Sequence, residues 1–436
     1  MAKKTKAASL TIEEKLEQAL VVPGYEPYKI PDNWCWLKLL ASFDNCTDSK
    51  KKIQQKKYLK DGAWTIIDQG KQEVGGYTND EALLYSGILP VIIFGDHTRC
   101  IKYIDFPFAQ GADGVKVLRP KSFYSSKLFY YALQSVEIPN LGYRRHFPIF
   151  DRFAIPLPPL PEQQRIVERI ESLFSKLDEA KEKAQEVIDS FETRKAAILH
   201  KAFSGELTAK WREENGVGIE SWERKRISEC CKLGSGGTPS RKKPNYYIGD
   251  IPWIKTGEIN WNTVNYSEES ITQEAIDNSS AKVYAPGAVL VAMYGMGITR
   301  GKAAILGIEA ATNQAVCVLQ PKEYLFNRYL YFFFMCNYWD IREQAVGGNQ
   351  LNLSATIIGK LNIDIPNLEE QYVITELLDS IIEKEYQTKQ IAESVIDQID
   401  AMKKAILARA FRGELGTNDP EEESAVEMLK QILSGE

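Results

Sequence analysis

Two short polar loops carry the side chains best suited to reading another molecule: Gly142-Tyr143-Arg144-Arg145-His146 and Gly347-Gly348-Asn349-Gln350-Leu351-Asn352. An Arg guanidinium presents paired N–H donors that match the guanine edge in the major groove, and an Asn or Gln amide matches adenine. Each loop precedes the last strand of a strand-rich segment. The pattern therefore predicts Arg144, Arg145 and His146 in one segment, and Asn349, Gln350 and Asn352 in the other, as contacts to duplex DNA, with base and phosphate contact both open. Earlier in each segment lie basic runs, Lys50-Lys51-Lys52 with Lys56 and Lys57, and Arg241-Lys242-Lys243 after Gly236-Gly237-Thr238-Pro239-Ser240. Such runs neutralise phosphates in a salt-dependent, sequence-independent way, and serve equally as solvated faces. Arg99 and Arg300 each follow a glycine-terminated strand and are further candidates. Tyr246, Tyr247 and Trp261 can stack on bases, but aromatic residues beside strands more often fill cores.

Nothing in the chain assembles a catalytic site. Lys243-Pro244-Asn245-Tyr246-Tyr247 has neither the order nor the double proline of the amino-methyltransferase signature, Gly295-Met296-Gly297 lacks the spacing of a dinucleotide loop, and G-x-x-x-x-G-K-[ST] does not occur. Seven cysteines without C-x-x-C, and three histidines (His97, His146, His200), argue against a disulfide framework and against a metal site. The residues predict a chain that binds and positions without catalysing. No run of apolar residues is long enough to span a membrane, and the N-terminus lacks the apolar core of a signal peptide, which reads as cytoplasmic. The net charge of −5 is segregated: residues 34–155 hold 17 Lys and Arg against 12 Asp and Glu, and 222–365 hold 15 against 13, whereas 156–221 hold 10 against 13 and 366–436 hold 7 against 16. Basic strand-rich segments between acidic stretches suit a nucleic acid held by the former.

The elements that position these loops are set by a duplication. From Pro158 to Leu207 apolar residues fall at Ile166, Ile170, Leu173, Leu177, Ala180, Ala184, Val187 and Phe191, then slip at Arg194 and return at Ile198. Alternating spacings of three and four are a coiled-coil seam, and the spacing predicts one long helix. Pro366 to Leu415 repeats it at a shift of 208 residues, Ile166 matching Ile374 and Ile198 matching Ile406, and both copies end on K-x-A-I-L-x-x-A-F-x-G-E-L (Lys195–Leu207, Lys403–Leu415). Short linkers predict that the two helices pair antiparallel.

Trp34 and Trp222 open the two strand-rich segments in the same way. Residues 63–67 match 251–255, 85–95 match 284–295, and 114–118 match 315–319 as strands; aromatic helices at 127–135 and 327–337 follow. The predicted fold is α+β: two similar mixed, strand-rich domains separated by an antiparallel coiled coil of two long helices, with internal pseudo-twofold symmetry. The boundaries read as an arm and short helix (1–30), a first domain (31–157), a first spacer helix and linker (158–215), a second domain (216–365), a second spacer helix (366–415) and an acidic tail (416–436). Thr11 and Glu14 have capping-box spacing for the short helix. The amphipathic end of the tail (Ala425, Met428, Leu429, Ile432, Leu433) reads as a frayed terminal helix in preference to one docked on a partner.

With these motifs in view, the chain resembles the specificity subunit of type I restriction–modification systems. The likeness rests on L-P-P-L-P-E-Q-Q-R-I-V at Leu157–Val167, K-A-A-I-L-x-x-A-F-S-G-E-L at Lys195–Leu207, their second copies at Ile365–Ile374 and Lys403–Leu415, and I-P-W-I-K-T-G-E-I at Ile251–Ile259. The second copy departs from the pattern by reading I-P-N-L-E-E-Q-Y, without the extra prolines. The resemblance implies two target recognition domains that read unlike half-sites of double-stranded DNA. It also implies two methyltransferase (modification) subunits carried on the helical spacer, and restriction/translocase subunits recruited through them. No cofactor is then bound by this chain; S-adenosylmethionine, ATP and Mg belong to the partners. An enzyme with an unrecognised site, and a scaffold binding only proteins, are the competing readings; activity of the isolated chain and an absent salt dependence of DNA binding would respectively favour them.

Overall fold

A computed structural model of the chain describes residues 11–112, 114–295, 298–345 and 352–435. Two compact units divide it, one made of Met1–Ala184 with Ser394–Glu436 and the other of Gln185–Glu393. The division cuts both long helices, so each unit holds one strand-rich domain, the start of one long helix and the end of the other.

In the first unit a four-stranded sheet runs in the order Phe43–Asn45, Val115–Pro120, Val91–Gly95, Ile101–Ile104, and a three-stranded sheet in the order Gly76–Thr78, Trp64–Ile67, Phe108–Gln110. In the second unit the order Cys231–Ser235, Val316–Pro321, Val289–Ala292, Ala303–Leu306 recurs, extended by Thr263–Val264. Its other sheet runs Ser270–Ile271, Ile251–Ile254, Ala310–Thr312, Val283–Tyr284. In that second sheet Trp64–Ile67 pairs parallel with Phe108–Gln110, as Ile251–Ile254 does with Ala310–Thr312. The matched strands therefore occupy matched places, and the duplication extends from sequence to topology. Each domain is closed by an antiparallel pair joining its first strand to the strand before the long helix, Cys35–Lys38 with Ala154–Leu157 and Glu223–Arg226 with Asn362–Ile365. The aromatic helices fall at Ser126–Ser135 and Asn327–Cys336, with their apolar faces buried.

The long helices pair antiparallel within each unit. In the first, Asp178 meets Lys403 and Lys181 meets Asp400 (2.7 Å), so one number rises as the other falls. Ile166 and Ile170 share a core with Leu407, Ala410 and Phe411. In the second, Arg194 meets Glu385 at 2.8 Å, and Leu199 and Ala202 share a core with Ile374, Leu378 and Ile382. The second long helix is continuous over Leu368–Ala410. The first is not, contrary to the single helix predicted: it runs Leu160–Asp189, breaks at Ser190 and resumes at Phe191–Phe203. The break lies one turn before the slip in apolar spacing at Arg194. There Ser190 Oγ donates to Glu186 O at 2.5 Å, and Arg194 donates to Val187 O and Ser190 Oγ, so side chains occupy part of the backbone ladder. Gly205 and Gly413 end the paired helices with φ of +80° and +74°; a Cβ on either would strike Ile219 or Pro31 at about 2.5 Å.

The terminal segments also differ from expectation. The short helix Ile12–Ala19 has the predicted capping box. The tail, however, is not frayed: its helix Ala425–Gly435 buries Ala425, Met428 and Leu429 in the same core as Leu16, Trp34 and Phe411. Lys15 Nζ donates to Leu433 O at 3.0 Å, and Ala425 N to Asn33 O at 2.8 Å. An amphipathic helix is retained where an apolar face is there to receive it, and Leu16 and Trp34 supply that face.

Candidate nucleic-acid interface

The residues repeated at the start of each long helix are interior anchors. Glu162 and Glu370 have no exposed surface. Glu162 accepts from Trp34 Nε1 (2.6 Å), Asn418 Nδ2 (2.9 Å) and Thr417 Oγ1 (3.2 Å). Glu370 accepts from Thr208 Oγ1 (2.7 Å), Arg212 Nη1 (2.6 Å) and Trp222 Nε1 (3.0 Å). One carboxylate in each unit thus ties the domain's opening Trp to the segment after the other helix's G-E-L. Beside it, Gln163 donates to Phe123 O and Pro158 O and accepts from Ser125 N, while Gln371 donates to Tyr324 O and Pro366 O and accepts from Phe326 N. The amide clamps the turn before the aromatic helix. The P-E-Q-Q and E-E-Q motifs stand out in the sequence, but their role as buried locks depends on partners far along the chain.

On this frame the first polar loop is held from below. His146 is fully buried, which corrects the expectation that it contacts DNA. Its Nδ1 donates to Asp96 O at 2.8 Å and its Nε2 accepts from Leu141 N at 3.1 Å, so both ring nitrogens are occupied and the Nδ1–H tautomer is required. Asp96, 2% exposed, also accepts His146 N at its carbonyl and Phe147 N at Oδ1. His146 and Asp96 pin the loop; Tyr143, Arg144 and Arg145 project from it, exposed. Their counterparts Asn349 and Gln350 lie outside the described residues. Asn352 is half-buried, and its Oδ1 accepts no hydrogen bond among the described residues.

The remaining candidates separate by whether the fold already uses them. Arg99 is half-buried, with Nη1 donating to Ile138 O at 2.9 Å. It lines a cleft of about 700 Å³ with Tyr131, Phe174 and Lys403, between its domain and the helices of the same unit. The fold thus already engages part of the Arg99 guanidinium. Arg300 is half-buried, and its carbonyl accepts from Arg342. Lys51 donates to Leu84 O at 2.8 Å, while Lys52 is half-buried and Lys56 and Lys57 are exposed on the short helical turn Gln55–Lys57.

In the second unit Arg241 lies 4.1 Å over the Tyr247 ring and pairs with Glu269 at 2.7 Å. Hydrogen bonds from Arg241 and Lys255 hold the Glu269 carboxyl below its usual range. Arg241 remains exposed in this pairing. Lys243 donates to Tyr246 Oη at 2.7 Å, and Lys242 is exposed. Tyr246 is buried, Tyr247 half-buried and Trp261 packed edge-on against Tyr331 and Tyr338, so the core reading holds for these aromatics. Burial, then Arg342 and Lys195, lower the Lys302 ammonium below its ordinary range.

No group of His, Cys, Asp and Glu among the described residues has the geometry to hold a metal ion, and no helix among them is long and apolar enough to cross a membrane.

Comparison with known proteins follows the duplication. A family model described as the type I restriction modification DNA specificity domain matches twice, at residues 45–189 and 219–395. The EcoR124I/EcoR124II type I restriction enzyme specificity subunit of Escherichia coli is 25% identical over 383 residues, covering 85% of this chain and 91% of its own. The MjaIX specificity subunit of Methanocaldococcus jannaschii is 28% identical over 186 residues, covering 40% of this chain and 42% of its own. Among solved structures, a chain from a study of complex assembly and conformational transition of the type I R-M system aligns with TM-score 0.63 at 18% identity. It covers 89% of this chain and 100% of that one. The HsdS subunit of Thermoanaerobacter tengcongensis aligns with TM-score 0.55 at 18% identity, covering 89% and 99%. At such identity the structural likeness establishes the fold.

Proposed function

Because the chain belongs to the type I restriction modification DNA specificity family, we propose that it recognises an asymmetric, bipartite site on double-stranded DNA and positions the subunits that modify and cut it. The observation that carries this reading is the duplication with divergence. Two domains share strand order and the buried Glu-Gln lock, while the sequences of their polar loops differ: Tyr143-Arg144-Arg145 in one, Asn349-Gln350 in the other. One scaffold with two loop sets fits two unlike half-sites.

In this reading each domain contacts bases and the adjoining backbone from its polar loop, and exposed lysines such as Lys56, Lys57 and Lys242 neutralise further phosphates and set orientation. Two methyltransferase subunits dock on the outer faces of the paired helices, and restriction/translocase subunits join through them. Methyl transfer from S-adenosylmethionine and Mg-dependent ATP hydrolysis belong to those partners; this chain is non-catalytic and works in the cytoplasm. The test is selection of bound duplexes from a random library by the complex assembled with its modification subunits, at physiological salt. Enrichment of two different short motifs at a fixed separation is expected. Equal affinity for all duplexes would overturn the reading.

A further inference from the structure

The loop that His146 pins presents an aromatic ring that neither the core nor the family match accounts for. Tyr143 is 92% exposed, the most exposed large apolar side chain among the described residues. It does not hang free. Its ring stacks on His97 at a centroid distance of 5.4 Å and an interplanar angle of 27°, and His97 Nδ1 donates to the Tyr143 carbonyl at 3.1 Å. Gly142, with φ of +66° and open space where a Cβ would stand, turns the chain outward just before it. Behind the turn, Asp96 fixes His146 and Phe147, and His97 follows Asp96 directly in the chain. The ring and its backing imidazole therefore share one rigid mount, and Arg144 and Arg145 stand exposed beside them.

A ring kept in water by a fixed loop gains from covering its open face, and holding it beforehand reduces the ordering cost of doing so. The flat partner that fits, next to two guanidinium groups, is a nucleobase flanked by phosphates. We infer that Tyr143 stacks on a base of the first half-site, with His97 as its backing ring and Arg144 and Arg145 on the adjoining backbone. This rests on the DNA-binding reading above and extends it from hydrogen-bonded readout to a stacking contact. It makes Tyr143 a determinant of local base geometry as well as of affinity, because an aromatic side chain reaching a base face partly unstacks the neighbouring step.

The experiment uses the complex assembled with its modification subunits and duplexes carrying its mapped site, with 2-aminopurine placed in turn at each position of the half-sites. Wild type is expected to change the fluorescence at one or two adjacent positions of one half-site. Tyr143→Ala should lose that signal and bind roughly 10- to 100-fold more weakly. Tyr143→Phe should keep both. The salt slope should be unchanged in Tyr143→Ala and shallower in Arg144→Ala, which separates stacking from phosphate contact. A wild-type complex that binds no duplex overturns the DNA-binding reading, and this inference with it. A wild-type complex that binds while Tyr143→Ala matches it in affinity and fluorescence overturns the stacking contact alone.

Discussion

Replacing Glu370 by Ala should unlock the second unit, and the size of the effect follows from what surrounds the carboxylate. Glu370 has no exposed surface and accepts three side-chain hydrogen bonds, one from Arg212, itself only 9% exposed. Removing it leaves a buried guanidinium whose remaining partners, Gly205 O and Thr208 Oγ1, are neutral. Breaking a buried pair by deleting one member costs about 3–5 kcal/mol. In a unit spanning Gln185–Glu393, each kcal/mol shifts the melting temperature by roughly 2–4 °C. Scanning calorimetry should therefore show the transition falling by about 6–20 °C. Glu370→Gln keeps the shape and an acceptor oxygen but not the charge, and should fall between Ala and wild type. Replacing both Arg212 and Glu370 by Met removes the unpaired charge, and should recover much of the loss. The reasoning is refuted if Glu370→Ala costs no more than the ~0.5 kcal/mol of an ordinary surface change, or if the double variant is the least stable of the set.

Other outcomes follow from the same structure. Glu162→Ala should cost less, about 1–3 kcal/mol, because its partners Trp34, Thr417 and Asn418 are all neutral; urea titration checks it. Leu429→Ala, at a fully buried position of the terminal helix, should destabilise the first unit by about 2–5 kcal/mol, whereas a frayed tail would give no change in the midpoint. Inserting one heptad into each long helix, near the buried Ala184 and Ala392, should lengthen the pair by about 10 Å and widen the methylated site's spacer by roughly 3 bp; an unchanged spacer would contradict the proposal that the helices set the separation of the two motifs. Arg144→Ala and Arg145→Ala should each lower the slope of log affinity against log salt by about 1; an unchanged slope would contradict their contact with the backbone.

The periodic features were legible from the sequence alone. The helical seam, its repeat and the matched strands all depend on local spacing, and the antiparallel pairing follows from chain connectivity. Features set by single tertiary partners were not legible. His146 follows two arginines in an exposed-looking run, and only Asp96, fifty residues earlier, makes it an interior pin. Arg241 reads as an unpaired cation in the sequence, and only the fold brings Glu269 against it. The terminal helix reads as loose because the face that buries it, Leu16 and Trp34, comes from the opposite end of the chain. Ser190 shows the intermediate case: the spacing marks where the seam slips, while the break itself depends on Arg194 bonding back to the preceding turn.

Whether two unlike readers share this chain is tested most directly by mapping methylated bases in cells that express it with its modification subunits. Two different short motifs, always separated by the same number of unspecified base pairs, are the predicted result. A single continuous motif, two identical half-sites, or methylation without any sequence preference would contradict it.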